Sequence, residues 1–262
     1  MTQQFQYHDI PPSRIATFDI FSIGLKKHHV SALLEFDVTD TRQKLRKLKR
    51  SGQKISLNAW IIKAISKALD QYPEAAAFFY SKRKLIMFTD INISVMVEKE
   101  LDEKRVPIPL VIEKTNQKSA AEITAEIEAA KNQSLAEGDI VLNKPSQKYE
   151  RLYYRLPRFL RLAVWKFMLR NPKIAYKNMG NAVVTSLGMM GKLNGWFIHK
   201  SIHPVSFGVG AIIKKPVVVN DEIKIREILH MTILIDHDVI DGAPIVRFLK
   251  CLAGFIENVE ME

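Results

Sequence analysis

The 262-residue chain is predicted to be one α+β domain, a mixed sheet packed with helices, and three observations lead there. Helical and strand periodicities alternate along the chain, the strands are of both parallel-capable and hairpin-like kinds, and no linker-like stretch or internal repeat divides them. The composition, 47% hydrophobic and 26% charged with 11 Gly and 11 Pro, excludes disordered, collagen-like and low-complexity chains. A single core still serves this length, since cores stop growing at roughly 250–300 residues.

In chain order, a first helix is expected over Asp37 to Gly52, with Asp37 or Thr39 as cap and Leu45 and Leu48 on an apolar edge among Lys and Arg. A second runs from Leu57 to Gln71: Ser56 caps it, Trp60, Ile61, Ala64, Ile65 and Leu69 recur at helical spacing, and Pro73 stops it. Lys84 to Phe88 and Ile91 to Val97 read as strands, rich in β-branched residues. Val106 to Ile112 is another, which Pro107 and Pro109 confine to an edge or a bulge because proline has no N–H to give a ladder. Ala120 to Glu137 reads as an amphipathic helix through Ile123, Ile127 and Ala130. Strands follow at Ala182 to Leu187, Ser206 to Ile213 and Ile228 to Asp236, with a turn-rich interval between the first two. A last helix, Ala243 to Val259, has Pro244 in its first turn and Ile245, Leu249, Leu252, Ile256 and Val259 as its buried seam.

The formal charge of +11, from 39 Lys and Arg against 28 Asp and Glu, points to an anionic partner: nucleic acid, anionic lipid or a phosphorylated small molecule. The one cysteine, Cys251, forms no intramolecular disulfide, and the start, MTQQFQYHDIPPSR, lacks a signal-peptide pattern. Charges interrupt every apolar run short of the roughly 18–20 residues that span a bilayer. A cytoplasmic protein, soluble or at most peripheral to a membrane, is the expectation.

Much of the excess charge sits between Lys148 and Lys177, where the run YERLYYRLPRFLRLAVWKFMLRNPKIAYK is nearly free of acidic residues. It mixes Arg151, Arg155, Arg158, Arg161, Lys166 and Arg170 with Tyr153, Tyr154, Phe159, Trp165 and Phe167. As a membrane-surface element, residues 150–170 turn their cations to anionic headgroups and insert their apolar side chains. As a structural insert, the aromatics pack on the domain and the basic stems snorkel over it. Pro157 breaks the stretch into two short helices. No nucleic acid is expected, because long aliphatics are mixed in and no reader motif occurs.

Of the seven histidines, His28 and His29 precede a strand, His199 and His203 lie in the turn-rich interval, and His230 belongs to a strand. None has metal-ligand spacing, and no metal is expected. His237 differs. It closes the strongest strand pattern, MTILID, and DVIDG follows, so His237, Asp241 and Gly242 form an H-x-x-x-D-G arrangement between a strand and a helix. A histidine on a loop held by rigid elements is well displayed as a general base. The plainer reading is that His237 ends the strand and Asp241 caps the helix.

The wider segment, LHMTILIDHDVIDGAPIVRFLKCLAGFIE, resembles the carboxyl-terminal signature of the dihydrolipoamide acyltransferases, core components of 2-oxoacid dehydrogenase complexes. Asp236, His237, Val239, Ile240, Asp241, Gly242 and Ala243 match that signature, and Phe248-Leu249 falls on its Phe-Leu pair. AVVTSLG is similar to the family's Phe-Thr-Ile-Ser-Asn-Leu-Gly, with Thr185 in place of the catalytic serine and Gly188 in place of the glycine. KISLNAWIIKAISKALDQYPEAAA, DINISVMVE and VPIPLVIEKTNQKSAAEI follow in the family's order, so the resemblance runs from about Ser13 to the end, apart from the basic insert.

The resemblance implies the chloramphenicol acetyltransferase-like fold, a two-layer sandwich, with residues 1–262 as a single acyltransferase domain interrupted by the insert at about 148–177. It implies acyl transfer between a thioester, acyl-coenzyme A, and a thiol or other small acceptor. His237 would be the general base, Thr185 the oxyanion donor with Ser186 as the fallback donor and the cofactor-binding candidate, and Asp241 a structural anion for which Arg14 is the candidate partner. Sites shared between subunits of a homotrimer, or of a multiple of trimers, are implied as well. Asp238 stands where the family has Arg, and DEKRVPIP replaces its Gly-Leu before a strand. No lipoyl domain, subunit-binding domain or Ala/Pro-rich linker is recognised, so the chain is expected to carry no covalent lipoyl group. The competing reading is a non-catalytic assembly or regulatory protein that retains the fold, possible partners including a membrane surface.

Overall fold

The computed structural model of the chain describes residues 7, 10, 12–101, 104–132, 152–186 and 193–258. Its strands are β1 (His29–Asp37), β2 (Phe78–Ser81), β3 (Lys84–Ile86), β4 (Ile93–Leu101), β5 (Lys104–Ile112), β6 (Ala182–Ser186), β7 (Val205–Val219) and β8 (Glu222–Asp236). Its helices are α1 (Pro12–Gly24), α2 (Thr39–Arg50), α3 (Leu57–Gln71), α4 (Ala120–Asn132), α5 (Arg158–Arg170), α6 (Pro172–Met179) and α7 (Gly242–Glu257). Six strands make one sheet in the order β1-β8-β7-β6-β4-β5, while β2 and β3 pair alone. The short β6 runs parallel to both neighbours, and the remaining pairs are antiparallel.

Side-chain alternation gives the sheet two different faces. Phe36, Ile93, Val95, Ala182, Val184, Val205, Phe207, Leu229, Met231, Ile233 and Ile235 point one way and join Ile61, Ile65 and Leu69 of α3 and Phe248, Leu252 and Ile256 of α7 in the main core. This is the two-layer packing of an α+β domain. The opposite face carries Glu35, Ser206, Gly208, His230, Thr232 and Asp236, and residues 193–204 lie against part of it. Trp196 stacks on His230 there, with ring centroids 4.2 Å apart.

The expected α3 forms with its stated bounds: Ser56 Oγ accepts from the Ala59 N–H at 3.2 Å, and Pro73 opens a 3₁₀ turn beyond the helix end. β5 is an edge strand, with Pro107 opposite Glu98 and Pro109 opposite Met96. Pro157 separates a helical turn at 152–155 from α5.

Other boundaries move for identifiable reasons. Asp37 ends β1 instead of opening a helix, and its Oδ1 accepts from both the Thr39 N–H at 3.0 Å and the Thr39 hydroxyl at 2.6 Å, so α2 begins at Thr39. Ile91 and Asn92 precede β4 because side chains take their N–H groups: Asn116 Oδ1 accepts from Ile91 and Asn181 Oδ1 from Asn92. Lys84 to Phe88 shortens to β3, whose partner β2 was not read from the sequence. β7 and β8 run past their expected ends into a long two-stranded arm, turned by Asn220 and Asp221 at φ 53° and 61°. Alternation along the arm is weak in apolar terms, and its tip exposes Val218, Ile223 and Ile225. The α1 helix also carries no cap signal in PSRIATFDIFSIG. In α7 the buried seam is Ile245, Phe248, Leu252 and Ile256, with Phe248 taking the place expected for Leu249, which is only half-buried. The expected end of α4 at Glu137, Leu187, Gly188, the start of the insert and Val259 lie outside the described residues.

Candidate active site

The turn after β8 is fixed on both sides of His237. The carboxylate of Asp236 is buried, accepts from Lys27 Nζ, and accepts from the Asp238 N–H at 3.3 Å through its other oxygen. The Asp236 N–H donates to the Pro204 carbonyl at 2.8 Å, the His237 N–H to His28 at 3.0 Å, and the Val239 N–H back to Asp236 at 3.1 Å. Val239 and Ile240 then bury their side chains in the main core. The imidazole of His237 is left exposed on a backbone that cannot swing, lining a 260 Å³ cavity with Glu74, Asp238, Val239, Ile240, Asp241 and Pro244.

Asp241 sits at the N-cap position of α7 with φ −83° and ψ 167°, but its side chain makes no hydrogen bond to the helix. The Ile245 N–H reaches its carbonyl at 3.1 Å instead. Nor does Asp241 pair with Arg14 among the described residues, because Arg14 lies exposed on α1. The ion pair that secures the turn is Lys27–Asp236, which the sequence reading missed. Its signal was slight: a lysine just ahead of β1 and an aspartate closing β8, which register brings to the same end of neighbouring strands. Asp238, the residue of reversed charge, places its carboxylate oxygens 3.0 Å from His28 Nδ1.

Thr185 does not meet His237 within the chain. In β6 it lies opposite Gly208, which lies opposite Thr232 of β8, five positions before His237. A rise of about 3.3 Å per residue and a strand spacing of about 4.8 Å put the two residues roughly 19 Å apart. Ser186 faces the other side of the sheet and lines a larger cavity of 580 Å³, whose charged residues are Lys214 and the paired Arg42 and Glu227 and whose other lining includes Leu57, Asn58, Val209 and Leu229.

Three histidines that look ordinary in the sequence are packed behind the turn. His203 Nε2 donates to the Met179 carbonyl at 3.0 Å, and burial pushes its pKa down to about 4. His29 meets the His203 carbonyl at 3.0 Å and is also lowered by burial. His199 bonds Ser206 Oγ and is pushed down to about 4 by burial. It reaches the sheet only because Gly208 has no side chain: a Cβ there would stand 2.8 Å from His199 Nδ1. His199 and His203 are thereby uncharged at neutral pH. Among the described residues no cluster of three His, Cys, Asp or Glu side chains has the form of a metal site.

The turn thus displays an imidazole with Asp241 lining the same cavity, while the Thr185 hydroxyl stands on a separate strand end. The family model for 2-oxoacid dehydrogenases acyltransferase (catalytic domain) matches residues 20–140 and 169–261. The dihydrolipoyllysine-residue acetyltransferase component of the pyruvate dehydrogenase complex of Rickettsia prowazekii is 30% identical over 205 residues, 78% of this chain and 41% of that protein. The chain thus spans less than half the length of that relative. In structure it is similar to the cubic core of the pyruvate dehydrogenase multienzyme complex (TM-score 0.69, 19% identity, 98% of this chain and 94% of that one). It is also similar to chloramphenicol acetyltransferase (TM-score 0.52, 13% identity, 98% and 100% covered), so the fold is chloramphenicol acetyltransferase-like.

Proposed function

The chain belongs to the 2-oxoacid dehydrogenase acyltransferase catalytic-domain family, and from that premise we propose that it transfers an acyl group between acyl-coenzyme A and a thiol. The observation that carries this reading is the fixed turn that displays His237 beside Asp241. A thiol with a pKa of about 8.5 is mostly protonated at pH 7, so it needs a neutral base at the moment of attack. His237 removes the thiol proton as the sulfur bonds to the thioester carbonyl, and it returns that proton to the departing sulfur when the tetrahedral intermediate collapses.

The intermediate carries its negative charge on the former carbonyl oxygen. A hydroxyl donated to it contributes on the order of 3 kcal/mol, and Thr185 supplies that hydroxyl. The threonine would come from a neighbouring copy, a reading that its distance from His237 within one chain supports. A homotrimer provides this arrangement three times over. The apolar tip of the β7–β8 arm, where Val218, Ile223 and Ile225 are 68–79% exposed, supports association between copies.

Coenzyme A fits the chemistry of the larger cavity. Lys214 offers a cation to its phosphates while Arg42 is paired with Glu227 of the same lining, Ser186 and Asn58 offer polar groups to its amides, and Leu57, Val209 and Leu229 line the remainder. When bound, coenzyme A supplies the thioester sulfur. The test is exchange of acyl groups between a panel of acyl-coenzyme A donors and dihydrolipoamide. His237→Ala should lower turnover by about a thousandfold with the melting temperature unchanged, and undiminished turnover would refute the assignment.

A further inference from the structure

Two helices outside the proposed reaction turn some polar groups inward and expose large apolar side chains. In the α5 region the polar groups turn inward: Arg161 Nε and the Tyr153 hydroxyl both donate to Asp19 Oδ2 at 2.7 Å, and Trp165 Nε1 donates to the Tyr153 oxygen at 2.9 Å. Asp19 is fully buried, so this knot pins α5 to α1. No residue of α5 is buried. At about 100° per residue, the arc of α5 away from Arg161 carries Phe159, Ala163 and Phe167 together with Lys166 and Arg170. All five are exposed, Phe159 by 69% and Phe167 by 67%.

The same arrangement occurs in α1. Ala16 and Asp19 face inward, while Arg14, Phe18, Phe21 and Leu25, at the spacing of one helical stripe, are exposed. A helix bordered by water puts its charges outward. Two neighbouring helices whose outer faces also carry the exposed Phe18, Phe21, Leu25, Phe159 and Phe167 present apolar side chains for a medium other than water.

Charge identifies that medium. From Arg151 to Gly180 the chain has no Asp or Glu, the exposed Lys166 and Arg170 stand among the phenylalanines of the outer arc of α5, and Arg158 is exposed beside them. Most of this helix falls between the two stretches that match the family model, so the acyltransferase site does not account for it. Association of two copies through this face would oppose like charges. No helix among the described residues is long and apolar enough to cross a membrane. An amphipathic helix of this kind lies in the plane of the headgroups.

We infer that the outer face of α1 and α5 docks on an anionic lipid surface, with Phe159 and Phe167 inserted among acyl chains and Arg158, Lys166 and Arg170 at the phosphates. The inference stands independently of the catalytic reading. The full chain is sedimented with vesicles of phosphatidylcholine alone and of phosphatidylcholine with phosphatidylserine. It should bind the mixed vesicles, and weakly or not at all the neutral ones. Replacing Arg158, Lys166 and Arg170 by Ala should weaken binding roughly a hundredfold, at about 1 kcal/mol per cation. Phe159→Ser with Phe167→Ser should weaken it comparably, and both variants should keep the wild-type melting temperature and molar mass. Equal binding to neutral vesicles, absence of binding to either, or a fall in molar mass in the phenylalanine variant without loss of lipid binding would overturn the inference; the last result would assign the face to a second copy.

Discussion

Lys27 reaches the buried carboxylate of Asp236 from 209 positions away in the chain, and Asp236 is the residue immediately before His237. Removing one partner of a buried pair leaves the other charge without compensation. Lys27 is 27% exposed, which softens the loss. Lys27→Ala should therefore cost about 2 kcal/mol in urea denaturation, below the range for fully buried pairs. It should also lower kcat more than it raises KM, since the turn that aims His237 is loosened. Lys27→Arg should recover part of both.

Gly180 links α6 to β6 with φ +77°. A Cβ at this position would stand 2.3 Å from the Asn92 carbonyl oxygen, so the strain of the left-handed region adds to a collision with backbone. The neighbouring Asn181 N–H donates to that same oxygen at 2.8 Å and thereby starts β6, the strand that carries Thr185. Gly180→Ala should destabilise the protein by about 3 kcal/mol. An unchanged denaturation midpoint would show that the backbone relaxes here.

The buried histidines make stability depend on pH. His203 takes a proton near pH 6.5 when unfolded but only at about 4 when folded, so the unfolded state binds more protons between those values. Its contribution is complete above pH 6.5 and is lost as pH falls toward 4, in total on the order of 3 kcal/mol. His29 and His199 act in the same direction. Urea midpoints measured from pH 7 to pH 4.5 should fall steadily. His203→Gln keeps an N–H for the Met179 carbonyl, and it should make that fall shallower; an unaltered slope would contradict the role of His203.

Much of the fold could be read from the sequence wherever one local signal settled it. The Ser56 cap and Pro73 delimit α3, and the prolines of β5 place it at an edge, because each of these effects acts within a few residues. The H-x-x-x-D-G arrangement similarly located the turn at His237. What escaped depended on contacts between distant segments. The pairing of Lys27 with Asp236, the withdrawal of Ile91 and Asn92 from β4 and the burial of Asp19 under Arg161 join residues far apart in the chain. The Arg14–Asp241 pair failed for the same reason, since helical position alone does not say where α1 docks. In the insert the two aromatic readings divide by residue: Tyr153 and Trp165 pack inward, while Phe159 and Phe167 point outward.

His237 and Thr185 are roughly 19 Å apart in one chain by strand geometry, so the proposed acyl transfer through both requires two chains. His237→Ala and Thr185→Ala chains, each nearly inactive alone, are co-expressed and purified as mixed assemblies. In them, about one interface in four joins an intact His237 to an intact Thr185 by random assortment of subunits. Acyl transfer should return to about a quarter of the wild-type rate. Activity that stays at the level of the separate variants, in assemblies shown by mass to be mixed, would contradict a site built from two copies.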